Sequence, residues 1–163
     1  MRVSDLDEVM VIEEYSFPTP WSRNVYEMDI TRNAHSRFFV ARRRADNELV
    51  GYIGSWLAGD ECHIGTIATK REHRSRGVAR ALIAHTAALA LKEGCAYIIL
   101  EVRVNNLAAV NLYRTLGFEQ VGRRRGYYID TGEDGIIYLH RNLGELAEAA
   151  KAAVSQPEGG DGG

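Results

Sequence analysis

Apolar residues recur at helical spacing in Leu6, Val9 and Met10, with Glu13 continuing the run and Ser4 or Asp5 standing where a cap belongs. This pattern predicts a first helix. It breaks at SFPTPWS (16–22), where Pro18 and Pro20 impose a loop, and Ser22 then caps a second helix through Val25, Met28 and Asp29. RFFVARRRADNELVGYIGSWLAG (37–59) reads as two strands around a turn at Ala45–Glu48. ECHIGTIAT (61–69) is a third β segment, and its interrupting Gly65 predicts a bulge or the close approach of another group. A long helix follows to about Glu93, with Val78, Leu82 and Leu89 on one face and Gly94 ending it. CAYIILEV (95–102) is almost wholly apolar, which predicts a strand buried on both faces. A short helix from Leu107 to Leu116 lies between an N-cap at Asn106 and Gly117 at C′. FEQVGRR (118–124) and GIIYLHRNL (135–143) close the pattern as strands joined by YYIDTGED.

That order of elements predicts an α/β domain with a mixed sheet. The 163 residues, 45% hydrophobic and 26% charged, suit one core. The domain is expected to span 1–143. In 144–163, the Ala-rich GELAEAAKAAV is a marginal helix alone and the polar, Gly-rich SQPEGGDGG is expected to be disordered.

A net charge of −2 gives no electrostatic footprint for direct nucleic-acid binding. No apolar run reaches the length of a membrane span, and the first residues lack a signal-peptide pattern, so a cytoplasmic protein is expected. Cys62 and Cys95 match no CxxC or metal spacing and read as two small buried thiols. His35, His63, His73, His85 and His140 form no metal-binding pair, so no metal is expected.

One stretch resists this bland picture. REHRSRGVARALI (71–83) opens a helix, yet Arg71, Arg74, Arg76 and Arg80, with Lys70 upstream, crowd the helix's positive pole. A bound anion would make them favourable, because unpaired N–H groups at a helix start bind phosphate and guanidinium suits its geometry. Gly77 would let the ligand reach the backbone, and the small Ala79 would keep the next position open. Solvated arginines beside a simple turn remain the alternative.

Arg74-x-x-Gly77-x-Ala79 resembles the pyrophosphate loop, R/Q-x-x-G-x-G/A, of the GNAT acetyltransferase superfamily. LEVRVNNLAAVNLYRTLGFEQVGRRRGYY (100–128) is more specific and resembles the RimI-type N-terminal alanine acetyltransferases of ribosomal proteins and their archaeal N-terminal acetyltransferase relatives. FPTPWS and the GED before the last strand resemble the same group, and the likeness runs from about Val3 to Asn142. It implies a mixed, mostly antiparallel sheet whose two central parallel strands splay into a V that holds acetyl-CoA. The superfamily's first strand is truncated or absent, because only MRV precedes the Ser4 cap.

The resemblance also implies roles. Ile67, Ala68 and Thr69 would pair through their backbone with the pantetheine arm, and Arg74, Ser75, Arg76, Gly77, Val78 and Ala79 would hold the pyrophosphate. Asn106 would bind the CoA arm, Glu101 would be the base, and Tyr113, which also touches the cofactor, the acid. Trp21, Tyr127, Tyr128 and Arg125 would border the acceptor peptide.

The residues themselves leave more open. Glu101 ends a buried strand, where partial burial should raise its pKa, but an ion pair with Arg103 would serve as well. Tyr113 lies two helical turns from Asn106 on one face, which also suits core packing. The expected activity is acetyl transfer to the N-terminus of a protein, such as an alanine of a small-subunit ribosomal protein. Acetylation of a lysine or small amine is the alternative within the class, and a non-catalytic CoA-binding module the alternative outside it.

Overall fold

The computed structural model describes residues 1–154, so the Gly-rich stretch from 155 lies outside the described residues. A 3-10 turn at Val3–Asp5 leads straight into α1 (Leu6–Ser16), and among the described residues no strand precedes it. Then come α2 (Arg23–Arg32), β1 (Ser36–Arg42), β2 (Leu49–Ala58) and β3 (Glu61–Thr69). They are followed by α3 (Val78–Lys92), β4 (Tyr97–Arg103), α4 (Leu107–Thr115), β5 (Glu119–Tyr128), β6 (Glu133–His140) and α5 (Leu143–Val154). The strands lie in the order β1-β2-β3-β4-β6-β5. Only β3 and β4 run parallel, giving the mixed, mostly antiparallel sheet that the resemblance implies.

The sheet divides two apolar clusters. On one face Ile64, Ile98 and Leu100 pack with Leu82 and Ile83 of α3, Val110 of α4 and Leu146 of α5. On the other, Phe38, Tyr52 and Ala68 pack with Leu6, Val9 and Ile12 of α1 and Tyr26 of α2. The compositional boundary after 143 falls one residue inside α5, whose Leu143, Leu146 and Ala147 are buried in the first cluster. A fully buried Leu stabilises the fold by about 1.5–3 kcal/mol, which gives this Ala-rich helix a packing partner that its own propensity lacks.

In α2 the buried residue is Tyr26, whose phenol donates to the buried Glu13, while Val25 and Met28 face solvent. Two local expectations are corrected. In β4 burial alternates, with Ile98, Leu100 and Val102 sealed and Tyr97, Ile99, Glu101 and Arg103 half-buried. One face meets the core and the other borders a cavity, so the apolar run marks a single sealed face. Finally, β5 continues through Tyr128. The β5–β6 register skips from Arg124↔Gly135 to Tyr128↔Glu133, and Gly126 at φ 57° takes up the bulge.

Two features of β3 place the site. The register with β2 passes from Gly54↔Thr66 to Ser55↔Ile64, so Gly65 is an extra, unpaired residue. An inserted residue reverses the alternation of faces. Cys62 and Ile64 accordingly point into the α3 cluster, whereas Ala68 joins the α1–α2 cluster. The Trp56 ring occupies the space over Gly65, where an added Cβ would sit 2.1 Å from a ring carbon. Bulge and close approach therefore both hold.

The second feature is a parting of strands. Parallel pairing of β3 with β4 begins at Glu61↔Tyr97 and ends at Ile64↔Leu100, although β3 runs on to Thr69 and β4 to Arg103. Past that point the strands diverge, and the β3 edge facing the gap carries backbone groups without a strand partner.

Candidate active site

A cavity of about 590 Å³ opens where the strands part. Its walls are the α1–α2 loop with Trp21, Gly65 to Ile67 of β3, Glu101 to Arg103 of β4, Asn106 and Tyr113 of α4, and Tyr127 to Asp130 at the β5–β6 hairpin. Glu101 alternates with Leu100 and Val102, so it faces the α1–α2 side, while Tyr113 belongs to the opposite cluster. Both border one cavity, which therefore passes through the sheet.

On the first side, Glu101 Oε2 lies 2.6 Å from Nε2 of His63. The hydrogen bond to His63 holds the Glu101 carboxyl below its usual range, outweighing the opposing effect of burial, with Arg124 3.8 Å away adding to it. The expected rise on burial is thus corrected. The same bond raises the pKa of the His63 imidazole, so the pair favours a carboxylate beside a protonated ring. Arg103, the sequence's alternative partner for Glu101, instead binds Asp130 and Glu133. His63 was not singled out by sequence. The available signal was the parallel register, which puts 63 and 101 on one face close to the last pair of the ladder, but 38 residues separate them along the chain.

On the second side, Tyr113 is 4% exposed and packs edge-on against Phe118 at 5.5 Å. Burial pushes its phenol pKa up, so the hydroxyl keeps its proton at any physiological pH. Asn106 caps α4, its Oδ1 accepting from the Ala109 N–H at 3.2 Å, which uses only the side-chain oxygen.

The start of α3 presents unpaired donors and cations. Its first backbone hydrogen bond runs from Ala81 to Gly77, which leaves the N–H groups of Val78, Ala79 and Arg80 without a helical partner. Ser75 at φ 61° and Gly77 at φ 81° bend the preceding chain, and a Cβ on Gly77 would meet no atom within 4 Å. No acidic residue occupies the first turn. The arginines are only partly committed: Arg80 donates to Thr115 at 2.7 Å and Arg74 to the Thr69 carbonyl at 3.4 Å, while Lys70 turns to Glu48. An exposed space, convergent amide hydrogens and cations fit the phosphates of CoA. The free β3 edge fits its amide-bearing arm.

The opposite mouth is lined by side chains. Trp21, Tyr127 and Tyr128 border the cavity, whereas Arg125 does not. Its neighbour Arg124 reaches inward, over the Tyr127 ring and towards Glu101. Arg103 grips Asp130 with two hydrogen bonds of 3.0 and 2.7 Å and stacks on Tyr128, its Cζ 4.0 Å from the ring centroid. Thr19 of the α1–α2 loop then donates to Asp130 at 2.7 Å, so a strap joins the loop to the hairpin.

Residues 6–118 match the model of the acetyltransferase (GNAT) family. The [ribosomal protein bS18]-alanine N-acetyltransferase of Escherichia coli is 30% identical over 139 residues, covering 84% of this chain and 91% of that protein. An N-alpha-acetyltransferase of Sulfurisphaera tokodaii is 31% identical over 150 residues, covering 83% and 87%. The crystal structure of the ribosomal-protein-S18-alanine N-acetyltransferase from Escherichia coli superposes with a TM-score of 0.76 at 29% identity, covering 85% of this chain and 88% of that one.

Proposed function

The chain belongs to the GNAT acetyltransferase family, an acetyl-CoA-dependent N-acetyltransferase, and we propose that its acceptor is the α-amino group at the start of another protein. By analogy with the relatives named above, an alanine-starting ribosomal protein is the proposed substrate, and the cytoplasm the proposed compartment. The observation that carries this reading is the pairing of Glu101 with His63 on one side of the sheet and Tyr113 on the other, both bordering a single cavity.

Acetyl-CoA supplies an activated acyl group on sulfur. Pyrophosphate is held at the α3 N-terminus by backbone from Arg74 to Ala79, the pantetheine arm pairs with Ile67 to Thr69, and Asn106 hydrogen-bonds that arm. A backbone N–H of β3 at the gap polarises the thioester carbonyl. The acceptor's first residues pass Trp21, Tyr127 and Tyr128.

A model α-amino group has a pKa near 7.7–8.0, so roughly a tenth is neutral at pH 7, whereas a lysine at about 10.4 is almost wholly charged. A modest base suffices for the former. Glu101 takes the amine's proton, directly or through water, with His63 stabilising the carboxylate and sharing the proton. The neutral amine nitrogen attacks the thioester carbonyl carbon directly, and the C–S bond breaks as the amide forms. Tyr113, kept protonated by burial, gives its proton to the departing CoA thiolate and regains one from solvent.

Mass spectrometry of Ala-, Ser- and Met-starting peptides incubated with acetyl-CoA and the protein tests this. A mass gain of one acetyl group on the N-terminal residue is expected. Transfer only to internal lysines or to small amines would replace the N-terminal reading, and CoA binding without any transfer would favour a non-catalytic module.

A further inference from the structure

Glu13, near the end of α1, is 1% exposed, and none of the acid–base steps above uses it. Three donors converge on its carboxylate. The Trp21 backbone N–H reaches Oε1 at 2.8 Å, the Tyr26 hydroxyl reaches Oε2 at 2.7 Å, and the Tyr52 hydroxyl reaches the same oxygen. Such a set of donors suits an ionised carboxylate, which only accepts. The carboxylate thus ties the α1–α2 loop to α2 and β2.

Its electrostatic situation sets it apart. The charged residues lining the cavity are Glu13, Glu101, Arg103 and Asp130, three acids and one base. Glu101 has His63 and Arg124, and Asp130 has Arg103. No ion pair reaches Glu13 among the described residues, although it is the most deeply buried of the three. Hydrogen bonds offset its desolvation, yet its charge is left uncompensated in the cavity wall.

We propose that Glu13 is a positioning residue that also determines specificity on the acceptor side, seating Trp21 and supplying the unpaired negative charge that draws the acceptor in as its ammonium form. The proposal rests on the N-terminal reading above and deepens it. Binding and chemistry then use different carboxylates. Glu13 favours the charged amine on arrival, and Glu101 removes the proton at the gap. A cation held near a fixed buried anion gains more than in water, because the low-dielectric wall screens it weakly.

The test compares two ligands on the full chain. One is an Ala-starting peptide that the wild-type protein acetylates. The other is the same peptide with its terminal amine replaced by hydroxyl, used as a competitive inhibitor near pH 6.5, where the amine is charged. Wild type should prefer the amine peptide by about tenfold or more, and Glu13→Gln should erase most of that preference. Its acceptor KM should rise by a similar factor, while acetyl-CoA binding by calorimetry stays within about twofold.

Tyr52→Phe removes one hydrogen bond but keeps the charge, so it should retain the amine preference even if its melting temperature falls. An unchanged preference in Glu13→Gln overturns the proposal, as does equal loss in Tyr52→Phe, which would assign the effect to packing. Wild-type protein that acetylates only lysines or small amines would instead overturn the N-terminal reading, and with it the acceptor proposed here.

Discussion

The two ends of the cavity are made of different material. At the acetyl-CoA end the proposed contacts are main chain: the N–H groups at the start of α3 and the β3 edge past Ile64. At the acceptor end they are side chains drawn from distant positions, Glu13, Trp21, His63, Glu101 and Asp130. A backbone site tolerates many side chains but needs its glycine and its turn geometry. A side-chain site tolerates backbone drift less and depends on each named group. Substitutions should therefore separate the two ends by which kinetic constant they move.

Glu101→Gln tests this contrast most severely. It should lower kcat by about 10²–10⁴-fold, the range for a lost general base, with acetyl-CoA affinity retained in calorimetry. Comparable loss of both would show that the ends are not separate. Gly77→Val should do the reverse. A β-branched residue is strained at φ 81°, so the anion cradle deforms, and acetyl-CoA binding should weaken by about 100-fold. The added side chain meets open space, so circular dichroism should report an intact fold.

Tyr113→Phe should cost roughly 10- to 100-fold in kcat and spare both binding constants, as read by CoA release. Asp130→Asn loosens the strap to Arg103 and Thr19 and should raise the acceptor KM by roughly tenfold at most. Its pH signature has a definite sign. The folded Asp130 carboxyl is held at about 2, below its ordinary value, chiefly by Arg103 and then by Thr19. The strap's stabilisation is therefore complete above about pH 4 and is lost as the pH falls towards 2, so melting curves of wild type and variant should converge in acid. The smallest effect belongs to Arg76→Ala. Exposed charge near a backbone-held phosphate is screened by salt, so acetyl-CoA should weaken by only a few-fold, measured at two ionic strengths.

The same contrast explains what sequence could reveal. Arg74-x-x-Gly77-x-Ala79 and the stretch 100–128 are contiguous, because a helix start and a strand–helix unit are local structures. The order of elements and the Gly65 bulge were legible for the same reason. His63 and Glu13 were not, since each acquires meaning only from a partner brought close by tertiary pairing. The strap was hidden too, because Thr19 and Asp130 are 111 residues apart. The direction of the Glu101 shift was misjudged because burial, readable from an apolar strand, was outweighed by an imidazole that the strand pattern does not announce.

The early end of β3–β4 pairing has a consequence for turnover in a cell. The strand edge and helix start proposed to hold the arm and the phosphates would grip parts that the spent carrier shares with the charged one. Such contacts would barely distinguish acetylated from bare coenzyme, so the two would compete on nearly equal terms for the same seam. The working rate would then follow the ratio of the two forms rather than the concentration of either.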